Sequence, residues 1–123
     1  MSQQVVSLSV PAQPLFARSV RMMAANLAVV SNMDVDDVED LRMAAEEGFV
    51  YACATKPAVC DIVFELHESS IVMTFTLGDT ISADDDALQY ANLLLSAICD
   101  EYDADHASKT LRLVKFADGA NAN

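Results

Sequence analysis

Residues Val5 to Val10 (VVSLSV) alternate, with Val6, Leu8 and Val10 on one face and Ser7 and Ser9 on the other. That period of two predicts a half-buried strand, which Pro11 and Pro14 stop. From Leu15 to Val30 the period changes. Phe16, Val20, Met23, Leu27 and Val30 recur at steps of four and three, so a helix is expected with Arg18 and Arg21 off its apolar stripe. The run Ser31-Asn32-Met33-Asp34 breaks it. Asp34 is a good N-cap for a second helix, and Asp36 and Asp37 suit the positive end of its dipole. This helix carries the stripe Val38, Leu41, Ala45, Phe49 and Ala52 and ends near Ala54, ahead of Lys56-Pro57.

The period of two then returns. Ile62, Phe64 and Leu66 share a face in Asp61–His67, as do Ile71, Met73, Phe75 and Leu77 in Ile71–Leu77. The intervening Glu68-Ser69-Ser70 has hairpin length. Ser82-Ala83-Asp84-Asp85 offers a capping box for a third helix striped by Leu88, Ala91, Leu95 and Ile98, flanked by Ala87 and Leu94. A second hairpin closes the chain, with a weak arm from Glu101 to His106 and a stronger one from Thr110 to Phe116. The order β-α-α-β-β-α-β-β predicts an α+β two-layer sandwich: one mixed or antiparallel sheet with three helices on one face. A single domain is expected over 1–117, with a small, polar, frayed tail over 118–123.

Charge changes the picture of partners. The chain has 123 residues and carries 19 acidic against 7 basic side chains, for a net charge of −12. Such a field repels nucleic-acid phosphates and anionic headgroups. It favours a basic protein partner, although it also serves solubility without any partner. No window reaches the ~18–20 apolar residues of a membrane span. MSQQVV has neither the basic region nor the apolar run of a secretory signal, so a cytoplasmic protein is expected. Three cysteines in such a chain read as free thiols. Cys53, Cys60 and His67 are evenly spaced, but on no zinc pattern and on three different elements, so no metal site is expected. His67 and His106 have no serine or cysteine at a spacing that suggests a nucleophilic triad. Met22, Met23, Met43 and Met73 are expected to fill core gaps.

The stretch DLRMAAEEGFVYACA, from Asp40 to Ala54, has the cadence of the helix D-[IL]-x-L-A-V-x-E-A-x-x-N-A-x-x-H. Around it stand an opening strand ending in Pro, a first helix with Val20-Arg21, a short acidic linker, a hairpin, a helix ending in Asp100-Glu101 and a closing hairpin. In that order the chain resembles the Bergerat-fold (GHKL) ATPases, specifically the RsbW-like anti-sigma-factor serine kinases of bacteria, over roughly Val5 to Lys115. The resemblance implies a histidine-kinase-like ATPase fold. It also implies that the motif glutamate polarises the attacking hydroxyl and that the asparagine one turn later holds Mg²⁺.

Glu47 stands at that glutamate and Tyr51 at the asparagine. A phenol is a weak, bulky ligand for a hard ion that wants oxygen in octahedral array. The adenine motif D-x-G-x-G aligns near Leu77, or two residues on at Asp79, and no glycine follows Asp79. The link to the Ser82 cap is too short for a glycine-rich lid. Glu47, Tyr51, Leu77 and Asp79 therefore outline a degraded nucleotide pocket, with no cofactor expected. The resemblance also places Arg18 and Arg21 on the helix near the surface that meets sigma factors and their antagonists. The expected function is a sigma-regulatory or anti-sigma binding protein acting by stoichiometric contact. The alternative is an active serine kinase that uses ATP and Mg²⁺ with Glu47 as base. A homodimer through the uncovered Val5–Val10 edge is a further expectation.

Overall fold

The computed structural model describes residues 4–80 and 86–117. Five strands form one sheet: β1 (Gln4–Pro11), β2 (Val59–Leu66), β3 (Ser70–Thr76), β4 (Glu101–Asp105) and β5 (Thr110–Phe116). Their spatial order is β1-β2-β3-β5-β4 and every neighbouring pair is antiparallel. The register aligns Val6 with Phe64, Phe64 with Met73 and Met73 with Leu113, so one apolar row crosses four strands. The next row is Leu8, Ile62, Phe75 and Leu111. Helices α1 (Ala17–Val30), α2 (Val35–Ala54) and α3 (Asp86–Ile98) cover that face, with α2 packed between the other two. The architecture is the α+β two-layer sandwich that the alternating and helical periods predict.

The core joins both layers. Phe49 of α2 and Phe64 and Phe75 of the sheet are wholly buried, with Leu41, Ile62, Leu95, Leu111 and Leu113 around them. Each such side chain contributes about 2–3 kcal/mol through water exclusion. Gly48 sets the distance between the layers. A Cβ there would lie 2.8 Å from the Phe75 ring and 3.0 Å from Leu113.

Helix ends follow their local chemistry. Asp34 caps α2 by accepting the Asp37 N–H at 2.9 Å, as expected. Asn32 ends α1 at φ 62°, with Met33 N–H bonded to Ala28 and Asn32 N–H to Val29; this is the left-handed C-terminal motif that asparagine tolerates. Several expectations are corrected. Pro14–Phe16 form a 3-10 turn and α1 begins at Ala17, because Gln13 is still extended. The buried face of α1 is Val20, Ala24, Leu27 and Ala28, while Val30 is exposed. The alanines bring α1 close to α2, a role the larger side chains obscure in the sequence. Met22 and Met43 are exposed rather than core filler, whereas Met73 is buried. β2 begins two residues earlier than its alternation suggests, and β3 runs from Ser70 to Thr76. The capping box and the frayed tail fall on 81–85 and 118–123, outside the described residues, whereas the link after β3 is described as far as Thr80.

Candidate functional site

Successive side chains of a helix diverge by about 100°, so the adjacent Glu46 and Glu47 point to different neighbours. Glu46 turns toward α1 and meets Arg21 at 3.0 Å. Glu47 lies on the same flank as Asp40 and Tyr51, seven residues after one and one turn before the other. Glu47 is half-buried, and burial, followed by the charge of Glu46, raises its carboxyl above the usual range. Its proton is thus held more tightly than that of an ordinary surface glutamate.

Tyr51 is buried, and its hydroxyl meets His106 Nε2 at 2.8 Å. His106 opens the turn between β4 and β5, so this bond joins the last turns of α2 to the tip of that hairpin. The two rings are 6.0 Å apart and tilted by 37°. Burial raises the Tyr51 phenol. Tyr102, on the inward phase of β4, is pushed up to about 12, first by burial and then by Tyr51. Its hydroxyl forms no hydrogen bond of normal geometry among the described residues, and neither does His106 Nδ1. Tyr51, Tyr102 and His106 thus make a patch of phenol and imidazole, with Glu47 one turn before Tyr51 on α2.

Leu77 and Asp79 are not part of this patch. Leu77 is buried, and its N–H bonds to the Lys109 carbonyl. Between them, Gly78 is pressed against the end of α2. Its N–H donates to Thr55 Oγ1 at 2.7 Å, and Thr55 Oγ1 donates to the Ala52 carbonyl at 2.6 Å. A Cβ on Gly78 would overlap the Thr55 carbonyl oxygen and lie 2.5 Å from Pro57 N. Thr80 N–H completes the clasp by bonding the Thr55 carbonyl at 3.0 Å. Asp79 points to solvent and pairs with Lys109 at 2.6 Å.

The donor set does not fit Mg²⁺ and a nucleotide. At the positions the resemblance would assign to the metal ligand and the adenine reader, Tyr51 is a neutral phenol engaged by His106, Leu77 is apolar and Asp79 is turned to solvent. Among the described residues no three His, Cys, Asp or Glu side chains come together as an ion site. Cys60 is the second residue of β2 and His67 lies just beyond its other end, about 23 Å apart at strand rise, so they cannot share an ion. The thiols of Cys53, Cys60 and Cys99 are pushed up to about 11, 12 and 12 by burial, which leaves them protonated at neutral pH. A cleft of about 240 Å³ lies away from the patch, where Val30 and Ser31 meet Gln4, Leu66 and His67.

Arg18 and Arg21 do not form a matched surface pair. Arg18 is exposed, while Arg21 is half-buried against Glu46. The sequence reading missed His106 and Tyr102, and also a charged knot around Lys115. Lys115 Nζ reaches Asp40 at 3.0 Å, Asp100 at 4.0 Å and the Ile98 carbonyl at 3.5 Å. Burial lowers its pKa, but the hydrogen bond and charge of Asp40, with Asp100 and Asp37 behind it, outweigh burial and raise it. One signal pointed there: Leu111, Leu113 and Lys115 share the inward phase of β5, which puts a cation in the core layer. Comparison with protein-family models and with curated proteins returns no match to this chain.

Proposed function

We propose that this protein is a regulatory binding protein that contacts a basic partner stoichiometrically and binds no nucleotide. The observation that carries this reading is the Tyr51–His106 hydrogen bond. It commits to the fold the side chain that stands where the resembling kinases keep a metal ligand. The net charge of −12 supports a basic partner, because opposite fields speed encounter and favour docking. The resemblance to anti-sigma-factor kinases supports a sigma factor or an antagonist of one as that partner, acting in the cytoplasm. Exposed Arg18 is then available at the partner surface, with Arg21 held beside it by Glu46. The raised carboxyl of Glu47 is the one feature that favours the second reading, an ATP-dependent serine kinase with an unusual site. Isothermal titration with Mg-ATP separates the two. The expected result is no binding heat, and an affinity of tens of micromolar or tighter overturns the first reading.

A further inference from the structure

The three helices cover one face of the sheet, and among the described residues no element packs on the other. A sheet wetted on one face alternates apolar and polar residues, whereas strands covered on both faces are apolar in both phases. Edge strand β4 follows the first pattern, with Glu101, Asp103 and Asp105 exposed and pointing outward. The middle strands follow the second. Ile71-Val72-Met73 of β3 and Leu113-Val114 of β5 are apolar in both phases, and all five are buried. At the end of β5 the usual order is inverted. Lys115 takes the inward phase and Phe116 the outward one, opposite Ser70.

The register gathers these outward side chains. Val72 stands beside Val114, and half-buried Val63 of β2 stands in the next row beside Thr74. Val63, Val72, Val114 and Phe116 thus form an apolar strip across the open face. Carboxylates flank it on both sides. Asp61 and Glu65 of β2 share the outward phase with Val63, and the three acids of β4 line the far edge. Against five carboxylates this face holds one guanidinium, Arg112, which meets Glu101 at 3.3 Å. Glu65 lies 3.4 Å from His67. Asp61 and Asp103 form no ion pair among the described residues. From β2 to β4 is three strand spacings, about 14 Å. A helix is about 10–12 Å wide with its side chains, so one laid along β3 and β5 would have an acidic row at each flank.

We infer that this face binds a basic amphipathic helix of a partner protein. Its apolar side covers the strip, and its lysines or arginines reach the two carboxylate rows. The two-layer sandwich gains a third layer. A second copy of this chain would set carboxylates against carboxylates, which disfavours it as the occupant. The inference rests on the reading that the partner is basic, and adds a contact on the layer opposite Arg18. It does not depend on whether the nucleotide pocket works.

Two synthetic helical peptides of about 15 residues test it on the full chain. One has a leucine stripe with lysine flanks, the other the same stripe with glutamate flanks. In fluorescence anisotropy only the lysine peptide should bind, and its affinity should fall by about tenfold between low and high salt. Its largest amide NMR shifts should follow β2, β3 and β5. Thr74→Lys puts a cation in the strip and Asp103→Lys breaks one acidic row; each should weaken binding by about fivefold or more. Glu39→Lys makes the same charge change as Asp103→Lys, but on α2, and should alter affinity by less than about twofold. Circular dichroism melts check folding, and exposed Asp103 keeps the test open if Thr74→Lys does not fold. Binding that maps to α1, or that ignores both sheet variants, overturns the sheet-face inference and leaves the basic-partner reading standing. Failure of the lysine peptide to bind anywhere at low salt overturns both. Equal binding of the two peptides, or a dimer of the free chain that both sheet variants disperse, overturns the inference by showing a different occupant.

Discussion

At its first turns α2 is tied to β5 and to the end of α3 by one lysine and three carboxylates. At its last turns it is tied to the loop after β3 and to the β4–β5 turn by neutral hydrogen bonds. The first arrangement is charged and its polar atoms are engaged: Lys115 serves Asp40, Asp100 and the Ile98 carbonyl, while Asp100 also accepts the Phe116 N–H at 2.6 Å. The second is neutral and includes two side-chain atoms without partners among the described residues, Tyr102 Oη and His106 Nδ1. A fold needs both ends of its central helix fixed. Here only the neutral end carries the patch of Tyr51, Tyr102 and His106.

The largest effect is expected at the neutral end. Gly78 is there for space, because an added methyl meets backbone atoms of Thr55, Lys56 and Pro57 rather than a side chain that can rotate away. Gly78→Ala should cost about 3 kcal/mol by urea unfolding, the upper part of the range for overpacking a site that cannot relax. A loss under about 1 kcal/mol would mean that the clasp yields easily and that the two ends of α2 differ less than their geometry suggests.

The charged end should be less costly to cut. Lys115→Met leaves Asp40, Asp100 and Asp37 without their cation. A fully buried pair would lose about 3–5 kcal/mol, but Asp40 and Asp100 keep 39% and 27% of their side-chain surface in water. Solvent screening reduces the expected loss to about 1–2 kcal/mol. The sign with pH follows from the raised pKa. The folded protein holds this proton more tightly than the unfolded chain, so the contribution is fully present below the ordinary lysine value of 10.5. It is lost as pH rises through the higher folded value. Alkaline unfolding curves of wild type and Lys115→Met should therefore converge above that region. Parallel curves at every pH would show that Lys115 acts through packing alone.

The contrast between the ends also shows what a sequence can disclose. Alternation in β2, β3 and β5 and the caps of α2 are local, so the sandwich was legible from residue order and period. The Tyr51–His106 bond spans 55 positions and Lys115–Asp40 spans 75. No local pattern encodes either; each exists because the register brings β5 and the β4–β5 turn under α2. Nothing in the local pattern marks Gly78, because its service to Thr55 exists only in the fold. The small residues Ala24 and Ala28 were hidden for a different reason. A helix stripe is conventionally read from large side chains, while close helix packing is made by small ones.

The smallest and sharpest test lies within the neutral end itself. Tyr51 and Tyr102 are neighbouring phenols: the first bonds His106 at 2.8 Å, while the second lies near Tyr51 without a hydrogen bond of normal geometry. Tyr51→Phe leaves His106 Nε2 unpaired and should cost about 1 kcal/mol, the usual net value of such a bond. Tyr102→Phe removes a buried hydroxyl that makes no hydrogen bond of normal geometry, so it should be neutral within about 0.5 kcal/mol or slightly stabilising. It should also flatten stability in alkali. Burial disfavours the phenolate and pushes this phenol up to about 12 in the fold, so folded stability falls as pH rises from the unfolded pKa through the folded value. Equal losses in the two variants would show that the phenols share one hydrogen-bonded network. The patch would then be as completely paired as the charged knot at the other end of the helix.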